Sequence, residues 1–313
     1  MAKKQLHITN GSALTNYLND SGYQGDIFTW HEMLCEGPTH VNLLSDKFLK
    51  TRADFFNTSY NIELDIKAFK SEISKLDYVD NYSEIVLWFE YDLFCHINLI
   101  AVISLIQQKK IKRPLFLVCS GRVSSSKNLK GLSELSTEEL TAHYTDRIKL
   151  NEDDIELAQT LWQIYNGKDH NLFKPFIVKS SSFDYMSNCL KAHLKRFPDS
   201  KSGLSTIEKN ILEILEKNTI KSQHHLLGYA LNYQGFYGFG DLQLNRIIEQ
   251  LSLFYTKDKN GIKLNRKGYE ALLGQHNFST EINDNTVFGG VRKLDFQFNK
   301  DENKLVKTVI NAH

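Results

Sequence analysis

The sequence predicts an α/β protein. It has an N-terminal parallel-sheet domain of Rossmann or flavodoxin-like type over residues 1–135, a helical middle section over 136–200 and a winged-helix-like C-terminal domain over 201–313. Three observations carry this. Wholly apolar runs, Glu84–Phe89 (EIVLWF) and Pro114–Cys119 (PLFLVC), have the length and composition of strands buried on both faces. Segments of helical periodicity separate them, which is the pattern of parallel strands with crossovers. Beyond residue 200, three helical segments precede two short strand-like runs, the element order of a winged helix.

In chain order, residues 5–10 (QLHITN) read as a strand, Gly11-Ser12 as a tight turn, and the spacing of Ala13, Leu14, Tyr17 and Leu18 as a helix. Residues 26–30 (DIFTW) read as a second strand. Residues 40–80 read as mostly helical, with Phe48, Leu49, Phe55 and Phe56 arranged around Arg52 and a second helix over Ile62–Leu76. After the strand Glu84–Phe89 come a helix over about His96–Gln108 and the strand Pro114–Cys119. Residues 120–135, rich in Ser, Gly and Lys, read as a loop.

In the middle section, Ser136-Thr137-Glu138-Glu139 opens a helix with capping chemistry, and Phe183–Phe197 forms another that stops at Pro198. Ser205-Thr206-Ile207-Glu208 is a capping box ahead of an apolar helix. Further helices are expected over Ser222–Leu231, from Asp241 as N-cap, and over Arg266–Leu273. A hairpin around Lys257–Gly261 and a final hairpin in Gly289–Val306 complete the reading.

Composition excludes several classes. The 313 residues carry 38 basic and 37 acidic side chains, a net charge of +1, far from the basicity of a protein that coats nucleic acid with its whole surface. Local basic patches remain compatible with that balance. The four cysteines, Cys35, Cys95, Cys119 and Cys189, form no C-x-x-C pair, which argues against a zinc or redox motif and for a reducing compartment. The first residues lack the apolar core of a signal peptide, and Leu99–Ile106 is too short to span a bilayer. A cytoplasmic protein without a membrane partner is expected.

Candidate functional residues concentrate in the first hundred positions. Asn10, Gly11 and Ser12 close the first strand and open a helix, where free backbone N–H groups can hold an anion. The same residue types also make an ordinary βα turn. Glu36, held beside Gly37-Pro38, has the placement of a base or metal ligand. It is equally a solvated turn carboxylate. Arg52 can clamp a phosphate or carboxylate, or pair internally with Glu36 or Glu90.

Glu90 and Asp92 leave the buried strand two positions apart. Paired carboxylates there suit a shared divalent cation such as Mg²⁺, or an acid and base split by environment. Acidic residues at a helix start are the plainer account. His96 follows as a candidate acid or base, although a lone His at a helix start is more often a structural hydrogen-bonder. His224-His225 face different ways on a helix and make a poor metal site. The run Gly235–Gly240 is not a dinucleotide fingerprint, because no strand precedes it. In the third C-terminal helix, Asp241–Glu249, Arg246 is the only basic residue. Lys257, Lys259, Lys263 and Arg266 around the hairpin are better placed to touch phosphates. Plain protein interaction is the blander use of such a domain, and the one favoured here.

Four motifs, LHITNGS (6–12), WHEMLCEGP (30–38), LWFEYDL (87–93) and GLSTIEKNIL from Gly203, resemble the bacterial family catalogued as domain of unknown function 1835 with its C-terminal companion domain. The resemblance implies a shared site at the positions of Asn10, Glu36-Gly37-Pro38, Arg52, Glu90 and Asp92, and supplies no activity. The chain departs from the family pattern at Ser12, where many relatives carry an acidic residue, and at Cys95-His96, where many carry Asp-Gln. The functional expectation is a small anionic, nucleotide or phosphate-containing ligand at the sheet edge, with metal-dependent phosphoryl hydrolysis or transfer as the chemistry. The alternative is a non-enzymatic regulator or adaptor whose C-terminal domain binds DNA or protein.

Overall fold

A computed structural model describes residues 3–123, 126 and 128–308. The main sheet is mixed, and four of its five strands run parallel. These are β1 (Lys4–Asn10), β2 (Asp26–Trp30), β4 (Tyr82–Phe89) and β5 (Leu115–Cys119), while β6 (Ile148–Lys149) pairs antiparallel with β5. The order across the sheet is β2-β1-β4-β5-β6. The winding direction therefore reverses between β1 and β4, and the crevice beyond their carboxyl ends is the place where such sheets receive ligands. A two-residue strand, β3 (Gly37–Pro38), belongs to a separate small sheet.

The run in β4 is continuously apolar because each of its faces meets its own core. Ile85, Leu87 and Phe89 join the larger cluster. Val86 and Trp88 face a smaller one with Leu14, Leu18, Val118 and Leu140. On that smaller side lie α1 (Ser12–Asp20) and α5 (Thr137–Thr145). The other side carries α2 (Asp46–Tyr60), α3 (Ile66–Ser74) and α4 (Leu93–Gln108), with α6 (Glu152–Tyr165) packed on α4. Helix α4, apolar on every face apart from a few polar residues such as His96 and Asn98, is buried along almost its whole length.

The strands β1, β2, β4 and β5 match the sequence expectation within two residues; the helix opened by Ser136, expected to carry Trp162 and Tyr165, stops at Thr145, and those two residues lie in the separate helix α6. The 120–135 loop is partly outside the described residues, and Leu132–Glu134 within it forms a 3-10 turn. The middle section also contributes the strand β6, so it is not purely helical. After α6 come α7 (Lys174–Ile177) and α8 (Met186–Leu194).

The C-terminal third contains α9 (Thr206–Lys217), α10 (Gln223–Tyr233), α11 (Asp241–Gln250), a hairpin of β7 (Tyr255–Asp258) and β8 (Gly261–Leu264), and α12 (Arg266–Leu273). An isolated bridge ties Ile220, before α10, to Ile262. Gly240, not Asp241, is the N-cap of α11; Asp241 is its first residue, where its charge suits the helix dipole.

The chain then returns. After α13 (Ser279–Ile282), β9 (Val287–Gly289) pairs with β3 and with β10 (Val291–Arg292), and β11 (Phe296–Asn299) pairs with β12 (Lys304–Lys307). Gly289 and Gly290 permit this return, because a Cβ on either would sit 2.1 Å from a backbone oxygen at the end of α6. One continuous apolar core therefore runs from Leu6 to Leu305.

Candidate functional site

The predicted residues fall into two groups. The first surrounds Arg52, which is fully buried. Its Nε and Nη2 contact Glu32 Oε2, each at 3.0 Å. Its Nη1 donates to the carbonyls of Glu36 (2.8 Å) and Pro38 (3.3 Å), and its Nη2 also reaches that of Met33 (3.0 Å). Of the two sequence readings, the guanidinium takes the internal one, but with Glu32 rather than Glu36 or Glu90. Its fork holds the 32–38 turn in place and leaves no donor for a ligand.

Glu36 is also buried and internally paired. Its carboxylate accepts from Tyr60 and from Arg246 of α11, and from Gln243 at 3.3 Å. It is neither a solvated turn carboxylate nor a free base. One atom stays unmatched here: Glu32 Oε1 is buried without a partner.

The second group sits at the crevice between β1 and β4. One ligand atom from each of Glu90, Asp92 and Cys95 lies within 4.8 Å of the others. Asp92 is the N-cap of α4 and accepts from the Cys95 N–H at 2.8 Å. The helix-start account therefore holds for Asp92, and Glu90 stands close beside it. Glu90, half-buried, accepts from the Leu132 N–H at 2.7 Å. Burial, aided by the Asp92 charge, pushes the Glu90 carboxyl up to about 7. Burial raises Asp92 to about 6 against the pull of the Cys95 N–H. Burial first, then the two carboxylates, drive the Cys95 thiol well above its usual range.

Asn10 belongs to this group, because its Nδ2 donates to Cys95 Sγ at 3.0 Å. His96 is buried, and its Nδ1 lies 3.0 Å from the Asp92 carbonyl. With the proton placed there, Nε2 presents a lone pair that meets no partner. Burial lowers its pKa to about 4, so the ring is neutral at pH 7. Gly11 has left-handed φ and no atom within 4 Å of where a Cβ would stand, and Ser12 is exposed; the turn backbone is open to approach.

The C-terminal third closes over Asp92. Gly238 lies so near that a Cβ would fall 2.1 Å from the carboxyl carbon. The N–H groups of Leu93 and Phe94 donate to the carbonyls of Phe236 (2.8 Å) and Tyr237 (3.2 Å). The Gly-rich run is thus an ordered cap on α4.

Sequence reasoning passed over Asn98. Its Nδ2 donates to Asn10 Oδ1 (2.9 Å) and the Glu32 carbonyl (2.7 Å), and its Oδ1 accepts from the Leu34 N–H (3.1 Å). It links the two groups. An amide in the middle of a mostly apolar helix was the available signal. Arg246 and Tyr60, the partners of Glu36, gave none.

Chemically, Glu90, Asp92 and Cys95 form an acidic cluster that has no ion-pair partner among the described residues. Such a cluster can hold a divalent ion or share a proton. No family model and no curated protein matches the chain. A solved structure of the Plasmodium falciparum topoisomerase II DNA-binding, cleavage and re-ligation domain is similar over 82% of this chain, at 14% identity and a TM-score of 0.46. The chain spans 43% of that structure's length. Among the described residues, no helix is long and apolar enough to cross a membrane.

Proposed function

We propose that the crevice between β1 and β4 is a divalent-cation site, formed by Glu90, Asp92 and Cys95, at which an anionic, phosphate-containing ligand binds. On this reading the protein is a metal-dependent phosphoryl hydrolase or transferase on a flavodoxin-like domain. The observation that carries it is the convergence of three ligating groups within 4.8 Å at the switch point of the sheet. A bound cation would offset the mutual repulsion of two carboxylates and draw the proton from the thiol. Carboxylate oxygens alone suit Mg²⁺; recruitment of the Cys95 sulfur favours Zn²⁺ or another borderline ion. Asn10 would orient Cys95, and the open turn at Gly11-Ser12 would face the ligand's anionic end. Arg52 and Glu36 hold the turn beneath the crevice. Kinship with domain of unknown function 1835 is part of the same proposal and rests on the four motifs.

Calorimetry of the metal-stripped chain with Mg²⁺, Mn²⁺ and Zn²⁺, each with and without a nucleotide panel, tests this reading. Saturable metal binding that Asp92→Asn and Glu90→Gln abolish supports it. No heat with any metal, or unchanged binding by both variants, defeats it.

A second reading has its own support. The order α9, α10, α11, hairpin, with the Ile220–Ile262 bridge, is compatible with a winged helix, and this supports the reading of the C-terminal third as such a module. Its third helix is turned inward, since Arg246 pairs with Glu36 and Gln243 lies buried against Cys35. A module with its reader helix engaged internally serves better as a cover or protein adaptor than as a DNA reader. Gel-shift assays with duplex DNA should show no binding that Lys259→Glu/Lys263→Glu on the hairpin removes.

A further inference from the structure

One cleft in the molecule is far from neutral. It has a volume of about 750 Å³, within the range of small-molecule sites. Pro38 and Thr39, the end of α6, and the returning tail from Val287 to Thr308 wall it. Lys47, Lys168, Arg292 and Lys307 line it, against Asp295 as its one carboxylate. All four cations are exposed, and among the described residues none of them has an ion-pair partner. Lys168 gives one of its three protons to the Gly290 carbonyl at 2.8 Å and keeps two. Thr308 Oγ1, also in the wall, is buried and has no partner. His40 at the rim bonds Thr51, and burial followed by the charge of Lys47 lowers its pKa.

The walls are set rigidly. Thr39 Oγ1 donates to Asn166 at 2.7 Å, the Thr39 N–H to Gly289, and the Gly290 N–H to Tyr165. Four cations held round one preformed hollow, in a chain of net charge +1, form a local field that only an anionic occupant completes.

We propose that this cleft binds a small polyanion bearing two or more linked phosphates, with Lys47, Arg292 and Lys307 as its charge contacts and Thr308 Oγ1 as a neutral donor. A concave hollow, rather than a long basic stripe, fits a compact ligand better than a nucleic-acid strand. The site lies outside the Glu90–Asp92–Cys95 cluster and needs no metal.

The test uses the full chain in EDTA, where the carboxylate cluster cannot contribute through a cation. Sodium tripolyphosphate and ATP are titrated by calorimetry, with inorganic phosphate and a single-stranded 20-mer as comparisons. The proposal expects saturable tripolyphosphate binding that weakens with salt, exceeds that of inorganic phosphate, and persists in Asp92→Asn. Equal ATP binding places the recognition in the phosphates; tighter ATP binding adds the nucleoside; both support the site. The exposed pair Lys47→Glu/Arg292→Glu should weaken binding about tenfold or more while the melting curve stays cooperative, and Lys47→Arg should retain it. Arg292→Gln alone should give a smaller loss, and serves if the double variant fails to fold. Absence of saturable tripolyphosphate binding at millimolar concentration overturns the proposal. So does unchanged binding by folded charge variants, or an affinity for the oligonucleotide that exceeds the tripolyphosphate affinity and grows with strand length.

Discussion

Arg52 and Asp92 are both charged, both buried and both within the same third of the chain, yet their surroundings are opposite. The protein supplies Arg52 with a carboxylate and three carbonyls, so its charge is answered from within. It supplies Asp92 with the N–H groups of Cys95 and Phe94, the Cys95 thiol and a second acid, and among the described residues with no ion-pair partner, so that charge is not answered by a counter-charge. A buried charge with a complete set of partners is architecture, because removing one partner strands the other. A buried charge lacking its counter-charge points to something absent from the chain, a proton or a cation. Burial alone does not separate structural from functional residues; the completeness of the partner set does.

The largest expected effect is at Arg52. Arg52→Ala leaves Glu32 as an unpaired buried carboxylate and frees the 32–38 turn, which should cost about 3–5 kcal/mol in urea denaturation. Arg52→Lys should recover only part of it, because an ammonium cannot fork to the carboxylate and the carbonyls together. A loss below about 1 kcal/mol, the range of a surface pair, would break the comparison at its stronger end.

A neutral buried relay gives the next effect. Arg196 donates to His193 Nδ1 at 2.5 Å, His193 Nε2 lies 2.8 Å from His170 Nδ1, and His170 Nε2 lies 3.0 Å from the Tyr165 carbonyl. This order of donors requires both imidazoles to be neutral. Burial first, then Arg196, lowers His193 well below 6.5; burial lowers His170 to about 4 despite the Tyr165 carbonyl and Asp169. The unfolded chain takes up these protons at higher pH than the folded one. Stability contributed here is complete above about pH 6.5 and falls as pH drops toward 4. For His170 alone the loss is about 3 kcal/mol. Denaturation midpoints at pH 7 and 5 should show the fall, and His170→Gln should flatten it. Equal slopes in both proteins would remove His170 from the account.

The fold was legible where one local pattern decided the outcome. The runs EIVLWF and PLFLVC have the length and composition of buried strands and form them, and the capping residues Ser136 and Ser205 occupy the caps expected of them. The candidate site was legible to the extent that it lies at the ends of those strands. Asn10, Glu90, Asp92 and His96 converge there because a parallel sheet puts its carboxyl ends together. What decided the fate of Glu36 and Arg52 was not local. Glu36 meets Arg246, 210 positions away, because the tail threads two glycines against the end of α6 and draws the C-terminal third inward. Patterns of hydropathy report which face of an element is buried, not which side chain from another element meets it.

The smallest expected effect on stability bears most sharply on the comparison. Asp92→Asn retains a good N-cap residue, and its Oδ1 can still accept from the Cys95 N–H. It also removes a buried carboxylate whose ionisation burial opposes. The two changes act in opposite directions, so the urea midpoint should move by less than about 1 kcal/mol either way, against several for Arg52→Ala. The same variant should lose the calorimetric response to divalent metal. Stability kept and binding lost is the signature of a charge held for an outside partner. A loss of stability as large as that of Arg52→Ala would show that Asp92 is held for the fold, and the distinction between the two residues would disappear.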